Sequence, residues 1–384
     1  MKLRWHTTTL ELAEPLRISR SVMARRDAVW AAVEHGGLTG WGEAVSSDYL
    51  GLPTDRIVRN LTAVRPVVER FPDPETLWDE YTAGALPGLP ELPAGVLAAV
   101  EAALLDLVGK RAGRPVHQLL GTPTAPAAAT TRTIGIVAPV PAAAQAARLA
   151  VSGFTALKVK AGSPDPGEDL ARVEAVRTGA PEAGLLLDPN GAWTERQALD
   201  LLPRFAALGV TAVEQPIAPG RPDALARVAK ESPVPVIADE DAVSYEDAVA
   251  LAGLVHGVNV KLAKCGGVRA ALRIHDALHG SGTELMLGCL TASSLGIAPA
   301  VHLADRARWV DLDGHLLLAD DPWTGIGGTD GTVRVADRAG LGVRRAQRED
   351  VRKDMAQDGR QDVRRGARQD VRQDVRGTGP EGAR

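Results

Sequence analysis

The sequence predicts an α/β protein, an eight-stranded parallel βα barrel preceded by a smaller α+β domain. Three observations predict it. Five apolar, β-branched-rich runs of strand length each end in a charged group: ALKVK (156–160), LLLDPN (185–190), AVEQP (212–216), VIADE (236–240) and VNVKL (258–262). Measured on Lys160, Asp188, Glu214, Asp239 and Lys261, the gaps are 28, 26, 25 and 22 residues, the chain that one strand, one helix and two loops need in such a barrel. The full 384 residues exceed the roughly 250 of a single barrel, so a second unit is expected.

The elements follow in order. Within 1–125, WHTTTLEL and DAVWAAVEH alternate as strands do, and the HGG turn leads to a third, LTGWGEAV. Helical stretches come next, most clearly 94–113, which ends at Gly113. From about 130 strand and helix patterns alternate, with strands expected at 131–137, 155–160, 184–188, 211–215, 235–239, 257–262, 284–288 and 309–313. Alternation of this kind implies a parallel sheet with helical crossovers, and eight strands imply closure. The barrel is therefore placed at 126–313. Residues 314–343 carry no final barrel helix and are expected to return to the N-terminal domain. In 344–384 the motif QDVR recurs, with 12 basic and 8 acidic residues and no Leu, Ile or aromatic residue. Such a segment cannot bury enough apolar surface to offset its ordering entropy, and a disordered charged tail is expected.

Composition narrows the function classes. Apolar residues make up 45% of the chain and aromatics 3%, so the core is built of Val, Leu and Ala. A net charge of −4 gives no reason to expect nucleic acid or a membrane surface as partner. The two cysteines, Cys265 and Cys289, have neither metal-type spacing nor a disulfide framework. The N-terminal stretch lacks the apolar run of a signal peptide, and a cytoplasmic protein is expected.

The strand ends carry the chemistry. Lys158 and Lys160 share one face of their strand. Lysines directed into a barrel are costly unless paired. Lys261 meets the same objection, while Lys264, three residues on, reads as a loop or helix-start charge. Asp188, Glu214 or Asp239 taken singly would cap the following helix. Three at matching strand ends, flanked by lysines, instead suggest a cation held by oxygen ligands, Mg²⁺ with Mn²⁺ as the alternative. Asn190 and Glu240 lie near enough to support those ligands. A metal that polarises a carboxylate makes the adjacent α-proton removable by a neutral lysine, whose pKa a nearby metal and second cation would lower. Lys160 on the second strand and Lys261 on the sixth stand diametrically opposite, so one can remove a proton and the other return it.

The segments KVK, LLLDPNGAW, VEQPI, IADE, VNVKLAKCGG and MLGCLTASSLGIA, with ALLDLVGKRAGRPVHQLLG in the first domain, resemble the enolase superfamily, in its muconate-lactonizing subgroup. The resemblance covers about residues 1–343. It implies a modified TIM barrel, (β/α)₇β, under an N-terminal α+β capping domain. It also implies Asp188, Glu214 and Asp239 as metal ligands, Lys160 and Lys261 as the base pair, Lys158 as an electrostatic helper, and an enediolate intermediate. Strand seven ends Gly288-Cys289-Leu290, without the His of the mandelate racemase branch. The eight histidines, among them His275, His279 and His302, read as core or surface residues. The D-x-D of Asp311 and Asp313 on strand eight is similar to the dipeptide epimerases, where two acids receive a free α-ammonium. A bridge from one of them to Arg308 is the plainer alternative. Arg20, in the stretch 15–29, stands where such enzymes hold a substrate carboxylate, and 46–52 would be a second lid. Ala292 departs from the acid that many relatives carry. The expected activity is inversion of the second residue of a dipeptide. The alternatives are an N-acylamino-acid racemase, o-succinylbenzoate synthase or cycloisomerase, and, more remotely, a binding protein acting through its tail. The partners expected are a small-molecule substrate and, as an open option, further copies of the chain.

Overall fold

The alternating N-terminal segments form an antiparallel meander of β1 (Lys2–Ile18), β2 (Ser21–His35) and β3 (Leu38–Val45). A computed structural model describes residues 1–84, 89 and 91–347; from residue 348 on, the expected tail lies outside the described residues. β1 and β2 run further than the alternation suggested. A register shift between Glu11 and Leu16 absorbs the Glu14-Pro15 break, and the ladder continues to Ile18 opposite Ser21. The stretch 15–29 is thus the tip of a β-hairpin with Ser19 and Arg20 in its turn. Ile136 N–H donates to Arg17 O at 2.8 Å, which seats the tip on the barrel rim.

Three helices follow, α1 (Thr54–Glu69), α2 (Pro74–Thr82) and α3 (Ala94–Ala112), then the short α4 (Val116–Leu119). α3 ends as read from the sequence, with Gly113 left-handed at φ 66°, a conformation that costs glycine little. Its apolar side packs on the meander through Val96, Ala99, Val100 and Ala103 against Val29, Ala31 and Ala44.

After β4 (Ala127–Ala129) the barrel strands are β5 (Arg132–Ile134), β6 (Ala156–Lys160), β7 (Gly184–Asp188), β8 (Val210–Glu214), β9 (Val236–Ala238), β10 (Gly257–Lys261), β11 (Glu284–Gly288) and β12 (Trp309–Asp311). They hydrogen-bond in chain order as one parallel sheet. Thr131 N–H to Val310 O, 2.9 Å, links the first strand's edge to the last. The crossovers are α5 (Pro139–Ser152), α6 (Pro166–Gly179), α7 (Glu195–Ala207), α8 (Pro222–Glu231), α9 (Tyr245–Leu251), the pair α10 (Leu262–Cys265) and α11 (Val268–Leu278), and α12 (Ser294–Val301).

Strand alternation sorts the barrel's side chains. Leu157, Val159, Leu185, Leu187, Val213, Val258 and Leu287 face the helices. Leu186, Ala212, Ile237 and Met286 fill the lower interior, with Trp309 against them. Gly257 makes room for that indole, since a Cβ there would lie 2.7 Å from Trp309 Cζ3. The next inward positions upward are the charged strand ends.

The segment after β12 touches the N-terminal elements. Leu12 bridges Leu318, Ala319 N–H donates to Glu11 O at 2.9 Å, and Trp323 meets Trp30 and Trp41 edge-on at 5.7 and 5.4 Å.

Glu101 of α3 ties the capping helices to the barrel. It accepts from Arg269 N–H at 2.8 Å, at the start of α11, and from the Tyr81 hydroxyl at 3.1 Å. Burial pushes its carboxyl up to about 7 from an ordinary 4.5. The protonated form is therefore favoured in the fold. Its contribution is fully present below the unfolded pKa and is lost as pH rises through about 7, on the order of 3 kcal/mol at ~1.4 kcal/mol per unit. Glu101→Gln is expected to flatten the fall in urea-melt stability between about pH 5 and 8; an unchanged slope would assign the titration elsewhere.

Candidate active site

Each charged residue read from the strand ends is buried in the barrel mouth except Lys261, which is half-buried. Lys158 Nζ lies 3.0 Å from Asp188 Oδ2, 2.6 Å from Glu214 Oε2 and 2.8 Å from Asp311 Oδ2. Lys160 Nζ donates to Asp188 Oδ2 at 2.5 Å. On the opposite wall Lys261 Nζ donates to Asp239 Oδ2 at 2.7 Å and stands 3.9 Å from Glu214 Oε1. The three carboxylates thus occupy the arc between the two end lysines, with Lys158 beneath them.

The electrostatics follow from this crowding. Burial opposes every charge here, and the outcome depends on the partners. Lys158 is held well above the ordinary lysine range because Asp188, Asp311 and Glu214 outweigh its burial. Asp188 and Asp239 are held below the carboxylate range by Lys158 with Lys160, and by Lys261 with Lys264, against burial. Glu214 goes the other way, pushed up to about 8 by burial and by Asp188. Lys261 behaves as Lys158 does. The chain's own groups raise its pKa rather than lower it, since Asp239 and Glu214 outweigh its burial.

Backbone strain marks the same rim. Among the described residues, Asn190 and Gln215 are the non-glycine residues with positive φ, 51° and 36°, each just beyond a strand-end carboxylate. Such conformations persist where surrounding bonds over-determine them. Asn190 N–H donates to Asp188 Oδ1 at 2.9 Å. Gln215 Oε1 accepts from Asp239 N–H at 3.0 Å, while its Nε2 donates to Asp241 Oδ2 at 2.8 Å. Glu240 is buried and takes Arg20 Nη1 at 2.7 Å. Arg20 also donates to Asn190 O at 3.2 Å and lies over the Tyr49 ring at 5.3 Å. The hairpin tip and the 46–52 loop therefore meet over the carboxylates.

The donor set suits a hard cation: it is all oxygen, three carboxylates from adjacent strands. Asn190 Oδ1 and Glu240 Oε2, at the same rim, are buried without a hydrogen-bond partner, and Glu214 Oε2, close to Lys158, lies off the line of a hydrogen bond. Among the described residues no three His, Cys, Asp or Glu side chains already form a metal cage; ammonium groups stand between the carboxylates.

Asp311 and Asp313 come together as expected, but each has a protein partner. Asp311 takes Lys158 and the Thr131 hydroxyl, the latter at 2.5 Å. Asp313 takes Thr133 N–H at 2.7 Å and Arg132 Nη1 at 3.2 Å. The bridging arginine is thus Arg132 and not Arg308, which stacks on Trp309. Ala292 lines a cavity of about 50 Å³ with Lys261 and Cys289, and the carboxylate there is Glu43 of β3. Glu43 accepts from Ser293 N–H, the Ser293 hydroxyl and Trp30 Nε1 at 2.8, 2.5 and 2.7 Å.

Sequence reasoning gave two residues of the site no part in it. Lys264 does sit at a helix start, in α10, but its ammonium is buried on Asp239. Asn259, fully buried, donates to Glu214 Oε1 at 2.8 Å. A polar residue at an inward position of an apolar strand was the available signal for Asn259.

Comparison with known proteins completes the picture. Residues 2–121 match the mandelate racemase / muconate lactonizing enzyme N-terminal domain, and residues 141–349 match the enolase C-terminal domain-like model. The chain belongs to this family, in the enolase superfamily. An L-Ala-D/L-Glu epimerase of Bacteroides thetaiotaomicron is 33% identical over 346 residues, 90% of this chain and 88% of its own. An N-acetyl-D-glutamate racemase of a Pseudoalteromonas species is 36% identical over 231 residues, 60% of this chain and 71% of its own. The structure of a dipeptide epimerase from Enterococcus faecalis, complexed with Mg and L-Leu-L-Tyr, superposes with a TM-score of 0.82 at 28% identity, covering 89% of this chain and 98% of that one. The resemblance and the fold class read from the sequence agree with these matches. Among the described residues no helix is long and apolar enough to cross a membrane.

Proposed function

We propose that this enolase-superfamily chain is a Mg²⁺-dependent dipeptide epimerase that inverts the α-carbon of the second residue by proton transfer between Lys160 and Lys261. The observation that carries the reading is the placement of these two lysines. They end the second and sixth barrel strands, with Asp188, Glu214 and Asp239 on the strands between. Relatives at about one-third identity that act on dipeptides support it.

Asp188, Glu214 and Asp239 would hold the cation, which when bound polarises the substrate carboxylate as a Lewis acid. With those carboxylates shared with a cation, their hold on Lys160 and Lys261 would weaken without the contacts to Asp188 and Asp239 being given up. One lysine then takes the α-proton from its face, and the other delivers a proton to the opposite face. The first lysine ends protonated and the second neutral, so the next turnover runs in reverse or after exchange with solvent. Lys158 keeps its charge between Asp188, Glu214 and Asp311 and faces the developing negative charge. Arg20, lying over the Tyr49 ring at the rim, would meet a carboxylate on the substrate's second side chain.

Substrate class rests on strand eight. Asp311 and Asp313 carry one more carboxylate charge between them than Arg132 balances once Lys158 is shared with the ligand set. A free α-ammonium answers that charge with charge-assisted hydrogen bonds. An N-acylated substrate lacks it and leaves acids unpaired in a closed site. The test compares kcat/KM for a free dipeptide and its N-acetyl derivative. The free form is expected to be preferred by about tenfold or more, a preference that Asp313→Asn removes. Equal values, or a preference unchanged in Asp313→Asn, would favour the N-acylamino-acid racemase reading, which the 36% identical N-acetyl-D-glutamate racemase keeps as the second candidate.

A further inference from the structure

Of the two lysines on Asp239, one has a job that the proton transfer does not use. Lys264 Nζ donates to Asp239 Oδ1 at 2.6 Å, to Asp239 O at 2.7 Å and to Asn259 O at 2.9 Å. An ammonium has three protons and no acceptor, so these contacts use its whole capacity. Its side chain is 1% exposed. It can neither reach substrate nor serve as a base while so held. The four-residue helix α10 places it, turning the chain back after Lys261 and ending at Gly266 with φ 101°. Lys264 acts where the sheet stops: the β9–β10 ladder's last pair is Ala238 with Val258. One residue further on, Lys264 joins the carbonyls of Asp239 and Asn259 across the diverging strands.

We propose that Lys264 is a positioning residue for the proton transfer: it locks the Asp239 carboxylate through Oδ1 so that Oδ2 aims Lys261, and it therefore serves one face of the substrate and not the other. The asymmetry is in the contacts. Asp188, which takes Lys160, is held by Lys158 and Asn190 and makes no bond to Lys264. With Lys264 removed, Asp239 is free to rotate and Lys261 loses its aim, while Lys160 keeps its own. The proposal rests on the two-lysine reading above.

The test uses the full chain in D₂O with Mg²⁺ raised to saturation for each variant, so that any weakening of the Asp239 ligand is offset, and follows α-proton exchange separately for the two stereoisomers at the second residue. Lys160→Ala and Lys261→Ala identify which isomer each lysine deprotonates. Lys264→Met is expected to slow exchange of the Lys261-dependent isomer by about 10–100-fold, and to leave the other isomer within about twofold of wild type. Lys264→Arg is expected to recover part of the loss. The metal-free Lys264→Met protein is expected to melt several degrees lower, because it leaves buried acceptors unpaired. If the Met variant does not fold, Lys264→Gln, which keeps donors for the carbonyls, carries the same comparison. Equal slowing of both isomers would make Lys264 a merely structural residue and overturn the proposal, as would no slowing of either. If Lys160→Ala and Lys261→Ala themselves show no preference between isomers, the two-lysine reading fails first and this proposal with it.

Discussion

Replacing Lys160 or Lys261 with alanine is expected to reduce epimerisation by roughly 10²–10⁴-fold, the range typical of a lost general acid or base. The loss should have a stereochemical signature. Each variant keeps one base, so each should still exchange the α-proton of one stereoisomer without inverting it, and the two variants should differ in which isomer that is. The geometry requires this pattern, because the lysines lie on opposite walls of the barrel and pair with different carboxylates, Asp188 and Asp239. Chiral chromatography combined with mass gain in D₂O reads both quantities. Near wild-type epimerisation in either variant would contradict a two-base transfer.

Mg²⁺ is expected to be needed for turnover and to raise the melting temperature. A ligand that binds only the folded state stabilises by about 2.7 kcal/mol at a hundred times its Kd. Asp239→Asn is expected to remove most of both effects. It deletes one of three ligand charges and leaves Lys261 and Lys264 without their shared anion. Breaking a buried pair in this way costs on the order of 3–5 kcal/mol, so the variant should also melt lower with no metal added. Full activity in excess chelator, or a Mg²⁺-induced rise in Asp239→Asn equal to that of wild type, would contradict the assignment of the ligands.

The barrel was legible because its strands are short apolar runs bounded by turns, and the run from β6 to β12 begins and ends within about two residues of the sequence reading. The strand-end acids and lysines were legible because period-2 alternation puts residues two apart on one face. Other features are set by tertiary contacts. β1 and β2 extend past Glu14-Pro15 because a bulge absorbs a break that alternation alone reads as an end. Lys264 looked like an ordinary charge at a helix start, since only the folded strand ends show three acceptors converging on it. Arg132 lies on β5, about 180 residues from Asp313, and no local pattern links the two. The direction of the Lys261 shift depended on which charges surround it: the sequence reading supplied a metal and a second cation, whereas the chain by itself supplies Asp239 and Glu214.

The most direct test of the account is to incubate free dipeptides with the protein and Mg²⁺ in D₂O and to follow both mass and configuration of the second residue. The account predicts a gain of one deuterium at that α-carbon together with inversion; both are absent in the chelated protein, whereas Lys160→Ala and Lys261→Ala lose inversion and each keep exchange of one stereoisomer. Inversion without deuterium gain, or deuterium gain at the first residue instead of the second, would contradict proton transfer between these two lysines.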